Sequence, residues 1–334
     1  MKELLQKLHS GISLSHEEAE ELMNHIIHQT ATETQIVAAI TTLSIRPISV
    51  NEIQGFRKVL MEMATKPNLS PKNAIDVCGT GGDGKNTFNI STTAALVIAA
   101  AGYKVIKHGN YGMSSNCGSS TVLEQLGYRF SPDSDKLQQE LDECNICFLH
   151  APLFHPALKA VANIRRSLGV STFFNFLGPL LNPVQPEYQL TGVFNQKLVR
   201  VYQEILSKER ANYKVIHGLD GYDEVSLTSG FLLSTNGYSQ QISPSDLGLE
   251  NLSQEALAGG ETVEESAEIL VNILKGTGTR AQTSAVLANA ALGIQCFTPE
   301  KSFTDAYEEA HEALINNGYK NLEKLLSLAY ETVE

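Results

Sequence analysis

Ile75-Asp76-Val77-Cys78, then Gly79-Thr80-Gly81-Gly82-Asp83-Gly84-Lys85-Asn86-Thr87, then Phe88-Asn89-Ile90-Ser91-Thr92: this stretch decides the fold. A short β-branched run precedes the glycines, and a nearly unbroken apolar run, residues 93–101, follows them. The pattern is strand, glycine-rich turn, buried helix. Glycine tolerates positive φ and carries no Cβ, so such a turn lets backbone N–H groups approach a ligand closely. Several N–H groups converging near a helix N-terminus make an anion site, with phosphate the usual occupant.

Two better-known phosphate motifs fit part of this stretch and fail on the rest. Gly79, Gly81 and Gly84 match the G-x-G-x-x-G dinucleotide pattern, which needs an acid about 20 residues on for the ribose hydroxyls. The next strand, residues 104–106, ends instead in Lys107-His108. Residues 79–85 match most of G-x-x-x-x-G-K, but Asn86 stands where Ser or Thr would hold Mg²⁺. An ordinary glycine-rich βα turn remains an alternative for the loop taken alone. What favours phosphate is the second turn, Lys107-His108-Gly109-Asn110 followed by Ser114-Ser115-Asn116-Cys117-Gly118-Ser119, which is rich in donors and carries a cation. Two adjacent parallel strands ending in such turns share one crevice, suited to a ligand with two separated phosphate groups.

The 334 residues are enough for two domains around one cleft. With 25 basic and 37 acidic side chains, the net charge is −12. That argues against broad contact with nucleic acid or an anionic membrane. The five cysteines, Cys78, Cys117, Cys144, Cys147 and Cys296, form no disulfide framework. Cys144-x-x-Cys147 lacks a second pair or a His cluster to complete a zinc site, so reduced, mostly buried thiols are expected. The N-terminus has no long apolar run and reads as neither signal peptide nor membrane span. The expected location is the cytoplasm, without nucleic acid or membrane as partner.

Residues 1–70 read as a helical domain. Capping boxes at Ser15/Glu18, Thr32/Gln35 and Ser49/Glu52 each introduce an apolar stripe. Residues 66–73, with Pro67 and Pro71, read as a linker. From 71 to 334 strands and helices alternate. Strands are expected at 75–77, 104–106, 146–149, 189–193 and 215–216, and helices near 94–101, 119–126, 134–141, 156–168 and 196–206. The expected class is α/β: a small helical domain plus a larger, mostly parallel sheet covered on both faces. Asn236-Gly237 between two β-rich runs predicts a hairpin and so an antiparallel edge. The Ala-rich stretch 281–292 is expected to pack under the helix that follows the glycine loop.

In Asp76-Val77-Cys78-Gly79-Thr80-Gly81-Gly82-Asp83-Gly84, residues 87–92, Lys107-His108-Gly109-Asn110, Arg165-Arg166-Ser167-Leu168-Gly169, residues 174–180 with Asn182-Pro183, and Asp223-Glu224, the chain resembles the anthranilate phosphoribosyltransferases of tryptophan biosynthesis, of the class III nucleoside phosphorylase/phosphoribosyltransferase fold. The match runs in order over nearly the whole chain. The glycine-loop motif is specific, whereas Lys-His-Gly-Asn is shared with pyrimidine nucleoside phosphorylases. The resemblance implies transfer of a phosphoribosyl group from phosphoribosyl pyrophosphate to the amine of anthranilate, with Mg²⁺ as cofactor (two ions) and a homodimer whose face lies on the helical domain and part of residues 155–185. It implies that Gly79, Gly82, Asp83, Thr87, Asn89, Ile90, Ser91, Thr92, Lys107, Ser114, Ser115 and Ser119 bind phosphoribosyl pyrophosphate. Gly79, His108, Asn110 and Arg165 would meet anthranilate, and Ser91, Asp223 and Glu224 would hold the metal. No side chain is assigned as a protein nucleophile or base; catalysis is expected to be electrostatic, with Lys107 and His108 nearest.

Ordinary readings stand beside these. Arg165-Arg166 near a helix C-terminus is commonly a solvated pair, Asp223-Glu224 after Gly221 is commonly a polar turn, and His155 and His217 read as structural. The rival functions are a pyrimidine nucleoside phosphorylase and a non-catalytic, nucleic-acid-binding relative. The chain departs from the family pattern in four places: Tyr111-Gly112 stands for a usual Arg-Ala, Asn116-Cys117 for Lys-Ser, Ser120-Thr121 for Ala-Asp, and Ser229-Gly230-Phe231 for Gly-Pro-Thr.

Overall fold

In the computed structural model, which describes residues 1–112 and 117–328, the glycine stretch leaves the middle of a seven-stranded sheet. Strand β1 (Ala74–Val77) is buried on both faces, as its β-branched run requires. The others are β2 (Lys104–Gly109), β3 (Ile146–His150), β4 (Tyr188–Gly192), β5 (Asn212–Gly218), β6 (Phe231–Thr235) and β7 (Tyr238–Ile242), in the order β3-β2-β1-β4-β5-β6-β7. β1 to β5 are parallel, and β6 and β7 form the expected antiparallel edge, turning at Gly237 (φ 92°). The chain runs from β1 outward through β2 to β3, then crosses back to β4 on the other side. The crossover direction therefore reverses between β1 and β4, the place where open α/β sheets hold ligands.

Four helices precede the sheet: α1 (Lys2–His9), α2 (His16–Ile27), α3 (Glu33–Ile45) and α4 (Val50–Glu62). All three expected capping boxes are formed, at Ser15, Thr32 and Ser49. α2 and α4 cross closely because Gly55 has no Cβ; one added there would overlap the His16 carbonyl. Glu52 is fully buried at the centre of this bundle, accepting from Leu14 N at 2.9 Å and from Arg46 and Ser49.

The covering helices are α5 (Ile90–Ala100), α6 (Ser119–Gln125), α7 (Ser134–Cys144), α8 (Ala151–Phe154), α9 (Lys159–Leu168), α10 (Phe174–Leu177), α11 (Gln196–Glu209), α12 (Val263–Leu274), α13 (Arg280–Phe297), α14 (Phe303–Ala313) and α15 (Tyr319–Leu328). The Ala-rich α13 packs on α5, as the sequence led one to expect: Gly293 lies where a Cβ would strike Ile98. Each fully buried Leu or Ile of α5 contributes about 1.5–3 kcal/mol.

The helix expected over 156–168 is shorter than that. Pro156 cannot donate a backbone hydrogen bond and restrains the residue before it, so residues 156–158 form a 3₁₀ turn and α9 begins at Lys159. α9 and α10 share a core cluster with α1–α4 through Val161, Ile164, Phe173 and Leu177. β2 runs past its expected end, so Lys107 and His108 are strand residues facing opposite sides of the sheet. Four cysteines are buried and Cys78 is half-buried, all as free thiols. Among the described residues no helix is long and apolar enough to cross a membrane.

Between α7 and β3 lies a buried cluster: Tyr128 donates to Glu140 Oε2 at 2.7 Å, and Lys136 Nζ is 3.7 Å from Oε1. Burial pushes the Glu140 carboxyl up to about 7, against smaller opposing pulls from Tyr128 and Lys136. A carboxyl whose folded pKa is raised loses stability as pH climbs from its unfolded value toward the folded one, here from 4.5 to about 7. Urea unfolding of wild type and Glu140→Gln at pH 5 and pH 8 is therefore expected to differ in pH slope. The variant gains on the order of 3 kcal/mol relative to wild type over that interval.

Candidate active site

The loop after β1 continues the β1–β4 ladder before it breaks away. Cys78 N donates to Leu190 O at 3.2 Å and Thr80 N to Gly192 O at 3.0 Å. Gly81, Gly82, Gly84 and Asn86 then take positive φ (62°, 78°, 70° and 49°), the conformations that only glycine and asparagine accept cheaply. A cavity of about 250 Å³ lies over this loop, between the C-terminal ends of β1 and β2 and the loop that follows β5. Its walls include Gly79, Gly82, Asp83, Thr87, Asn89, Ser91 and Thr92, so the structure brings these expected phosphate-loop residues together. Ile90 does not join them: its side chain is fully buried in the core and its N–H is spent on Phe88 O at 2.7 Å. The helix period turns the side chain at position 90 inward. Ser114 and Ser115 lie outside the described residues.

The loop after β5 closes the other side. Asp223 is buried and accepts from Gly81 N at 2.6 Å; Glu224 accepts from Ser91 N, in the first turn of α5, at 2.9 Å. Gly79 is glycine because a Cβ there would overlap the Asp223 carboxylate. Asn289 of α13 holds this loop from beneath, accepting from Val225 N (3.1 Å) and donating to Val225 O (2.9 Å). Burial, then the charge of Asp83, raise the Asp223 carboxyl to about 7. Burial and its two neighbours raise Glu224 well above the usual carboxylate range, and burial raises Asp83. Three oxygen-bearing acids are thus held close at the cost of mutual repulsion, an arrangement a hard divalent cation relieves. Among the described residues no three His, Cys, Asp or Glu side chains form a complete ion cage. Mg²⁺ does not require one, since it commonly keeps waters and takes phosphate oxygens alongside one or two carboxylates. The donor set fits that ion.

On the β2 side, Lys107 is 2% exposed and its ammonium donates to Val77 O, under the glycine loop. Asp76, also buried, accepts from His108 N (3.1 Å) and Asn182 Nδ2 (3.0 Å) and sets the positions of both strands. His108 Nδ1 lies 3.2 Å from Gly178 O, an acceptor only, so Nδ1 carries the proton and Nε2 is left buried without a partner. Burial lowers this imidazole to about 3, so it is neutral in ordinary buffers. Asn89 Oδ1 and Thr92 Oγ1 are likewise buried and unpartnered in the cavity wall. Asn110 caps the second turn, its carbonyl accepting from Ser119 Oγ at 3.2 Å and Ser120 N at 3.3 Å.

Arg165, on α9, lines both this cavity and a second one of about 660 Å³. The two also share Asn110, Leu158 and Asn175, so they communicate. The guanidinium packs over the Phe174 ring (5.3 Å), touches Asn175 Oδ1 only at 3.5 Å, and has a buried Nε without partner. Burial lowers its pKa from the usual guanidinium value. A half-buried arginine lacking a carboxylate suits an incoming planar carboxylate. Asn289, Asn182 and Gly192 carry the site's geometry, and no sequence pattern assigns any of them a role there. Only Asn182-Pro183, within a motif already quoted, gave any signal.

Two sequence families match: the helical bundle domain of the glycosyl transferase family over residues 2–64, and its a/b domain over residues 71–319. The chain is 47% identical to the anthranilate phosphoribosyltransferase of Christiangramia forsetii, over 97% of this chain and 99% of that one. It is 48% identical to that of Cytophaga hutchinsonii, over 94% and 96%. The crystal structure of the Thermus thermophilus enzyme superposes with a TM-score of 0.88 at 33% identity, covering 98% of this chain and 99% of that one. The Saccharomyces cerevisiae enzyme in complex with PRPP and Mg superposes with a TM-score of 0.89 at 26% identity, covering 98% and 97%. Its complex with 4-fluoroanthranilate gives 0.86 at 25%, over the same shares.

Proposed function

The chain belongs to the anthranilate phosphoribosyltransferase family, and from that premise we infer that it transfers the phosphoribosyl group of phosphoribosyl pyrophosphate to the amine of anthranilate in tryptophan biosynthesis. The observation that carries this reading is one cleft with two unlike ends. At one end a positive-φ glycine loop faces an acid pair; at the other stands an arginine without an acid partner. The first suits a diphosphate with its counter-ion, the second an aromatic carboxylate.

The reaction forms an N–C1 bond and breaks the bond from C1 to the pyrophosphate oxygen, which leaves with the electron pair, and the nitrogen then sheds one proton to solvent. An aromatic amine is already neutral at pH 7, so attack needs no strong base. The difficulty is charge gathering on the leaving group, and fixed donors meet it best. Gly79, Gly82 and Asp83 hold the pyrophosphate through the loop. Asn89, Ser91, Thr92 and Thr87 frame it from the start of α5, and Lys107 and Ser119 do so from β2 and α6. Mg²⁺, when bound, supplies charge neutralisation on that pyrophosphate. Ser91, Asp223 and Glu224 would hold it, with two ions proposed. Arg165 forks onto the anthranilate carboxylate, Asn110 and Gly79 border its ring, and the bare Nε2 of His108 accepts from the amine and orients its lone pair. The helical bundle with residues 155–185 is proposed as the face of a homodimer, and the enzyme is placed in the cytoplasm.

Loss of anthranilate fluorescence on adding phosphoribosyl pyrophosphate and Mg²⁺ tests the reaction. Wild type is expected to consume it, and no loss under any metal condition would refute the activity. Arg165→Ala is expected to raise the KM for anthranilate by about 10- to 100-fold, the worth of a charge-assisted hydrogen bond. The KM for phosphoribosyl pyrophosphate stays within about twofold, since the arginine stands at the other end of the cleft. Equal losses for both substrates would remove Arg165 from the acceptor.

A further inference from the structure

Tyr111 stands where the resembled family usually has arginine, and its surroundings give it a distinct task. Its backbone lies close against Gly118, which has no Cβ: the backbone of Tyr111 and Gly112 fills the space one would occupy. Its side chain is tied at two points. The hydroxyl donates to Glu124 Oε1 at 2.9 Å, and the ring meets His150 edge-on at 4.7 Å. His150 is itself fixed, by Ser120 Oγ at 2.8 Å and by stacking on Phe130 at 4.7 Å. Yet Tyr111 remains 46% exposed. A large ring held this firmly and left half open is a wall, not core filling.

The cavities show what it divides. Tyr111 also borders a third, shallow and open cavity of about 750 Å³, walled by Tyr128, Phe130, His150, Pro152 and Leu153 together with the charged Glu124 and Arg129. Among the described residues Tyr111 alone lines this cavity, the acceptor chamber beside Arg165 and the phosphate cavity.

We propose that Tyr111 is a specificity-determining residue: its ring partitions the acceptor chamber from the side cavity and so sets the largest 2-aminobenzoate the enzyme accepts. The proposal rests on anthranilate being the acceptor. With the ring present, an acceptor with a bulky substituent on its benzene ring meets the Tyr111 face. With the ring removed, the same substituent enters a space where Phe130, Pro152 and Leu153 offer apolar contact beside the polar Glu124, Arg129 and His150.

The test compares kcat/KM for anthranilate and for a phenyl-substituted 2-aminobenzoate in wild type, Tyr111→Ala, Tyr111→Leu and Tyr111→Phe. In Tyr111→Ala the ratio of bulky to plain acceptor is expected to rise by about tenfold or more, the discrimination an apolar pocket wall provides. The KM for phosphoribosyl pyrophosphate should stay within about threefold. Tyr111→Phe keeps the ring and should keep the wild-type ratio; Tyr111→Leu, milder for folding, should move in the same direction as alanine. An unchanged ratio in both truncations of an active, folded enzyme would overturn the partition, as would an equal shift in Tyr111→Phe. A wild type that consumes no anthranilate at all would remove the premise and the partition with it.

Discussion

The Asp223→Asn, Glu224→Gln double variant is expected to lose about 100- to 1,000-fold in kcat, the scale on which removing fixed charge stabilisation acts, while becoming more stable than wild type in metal-free buffer. Both amides keep an oxygen that accepts from Gly81 N and Ser91 N, so the two loops remain tied. What disappears is the charge. In the folded protein the Asp223 carboxyl is raised from 3.8 to about 7 by burial and by Asp83. A raised carboxyl costs stability increasingly as pH climbs through that interval, and the whole cost is present above about 7. At pH 8 the neutral variant should therefore gain roughly 2–4 kcal/mol, and adding Mg²⁺ should raise the melting temperature of wild type far more than that of the variant. A variant that melts lower without metal, or still gains from it as wild type does, would mean the acids serve the fold and not the cation.

Gly192→Ala is the second large effect, and it comes from a residue outside the cavity wall. Gly192 ends β4, and a Cβ there would overlap the Asp223 carbonyl. Backbone cannot swing aside as a side chain does, so the Asp223–Glu224 loop must shift and leave Gly81 and Ser91. Stability should fall by about 1–3 kcal/mol, the usual cost of overpacking. Activity should fall by about 100-fold, because catalysis by positioned charge tolerates little displacement. Denaturant melts and kcat measured on the same preparation check both; full activity with an intact fold would show that this close approach is not needed.

The parts of the fold that were readable from sequence are those with local causes. The capping boxes at Ser15, Thr32 and Ser49, the alternation of apolar strands with helices, the Asn236-Gly237 turn and the glycine loop are each written within a few residues. Pro156 opens the expected helix, and only its first turn, residues 156–158, winds as 3₁₀ before the α-helix begins. The site was legible as a set of residue types, and Ile90 shows the limit of that: a motif names neighbours in sequence, whereas the helix turns one of them into the core. The geometry was not legible, because it depends on distant pairs. Gly81 N and Asp223 meet across 142 residues, and Asn289 reaches Val225 across 64. No periodicity encodes such contacts; they follow from strand order, and the β1–β4 reversal brings the glycine loop and the acid loop together. Tyr111 likewise read as a bare departure from a pattern until Glu124, His150 and Gly118 gave it surroundings.

The most direct test of the central claim is a crystal structure of the wild-type enzyme soaked with phosphoribosyl pyrophosphate and Mg²⁺. The expected result places the diphosphate between the Gly79–Asp83 turn and the Lys107–Asn110 turn, with metal on Asp223 or Glu224 and the ribose C1 facing His108 and Arg165. Diphosphate density anywhere outside those two turns, with the turns themselves empty, would contradict it.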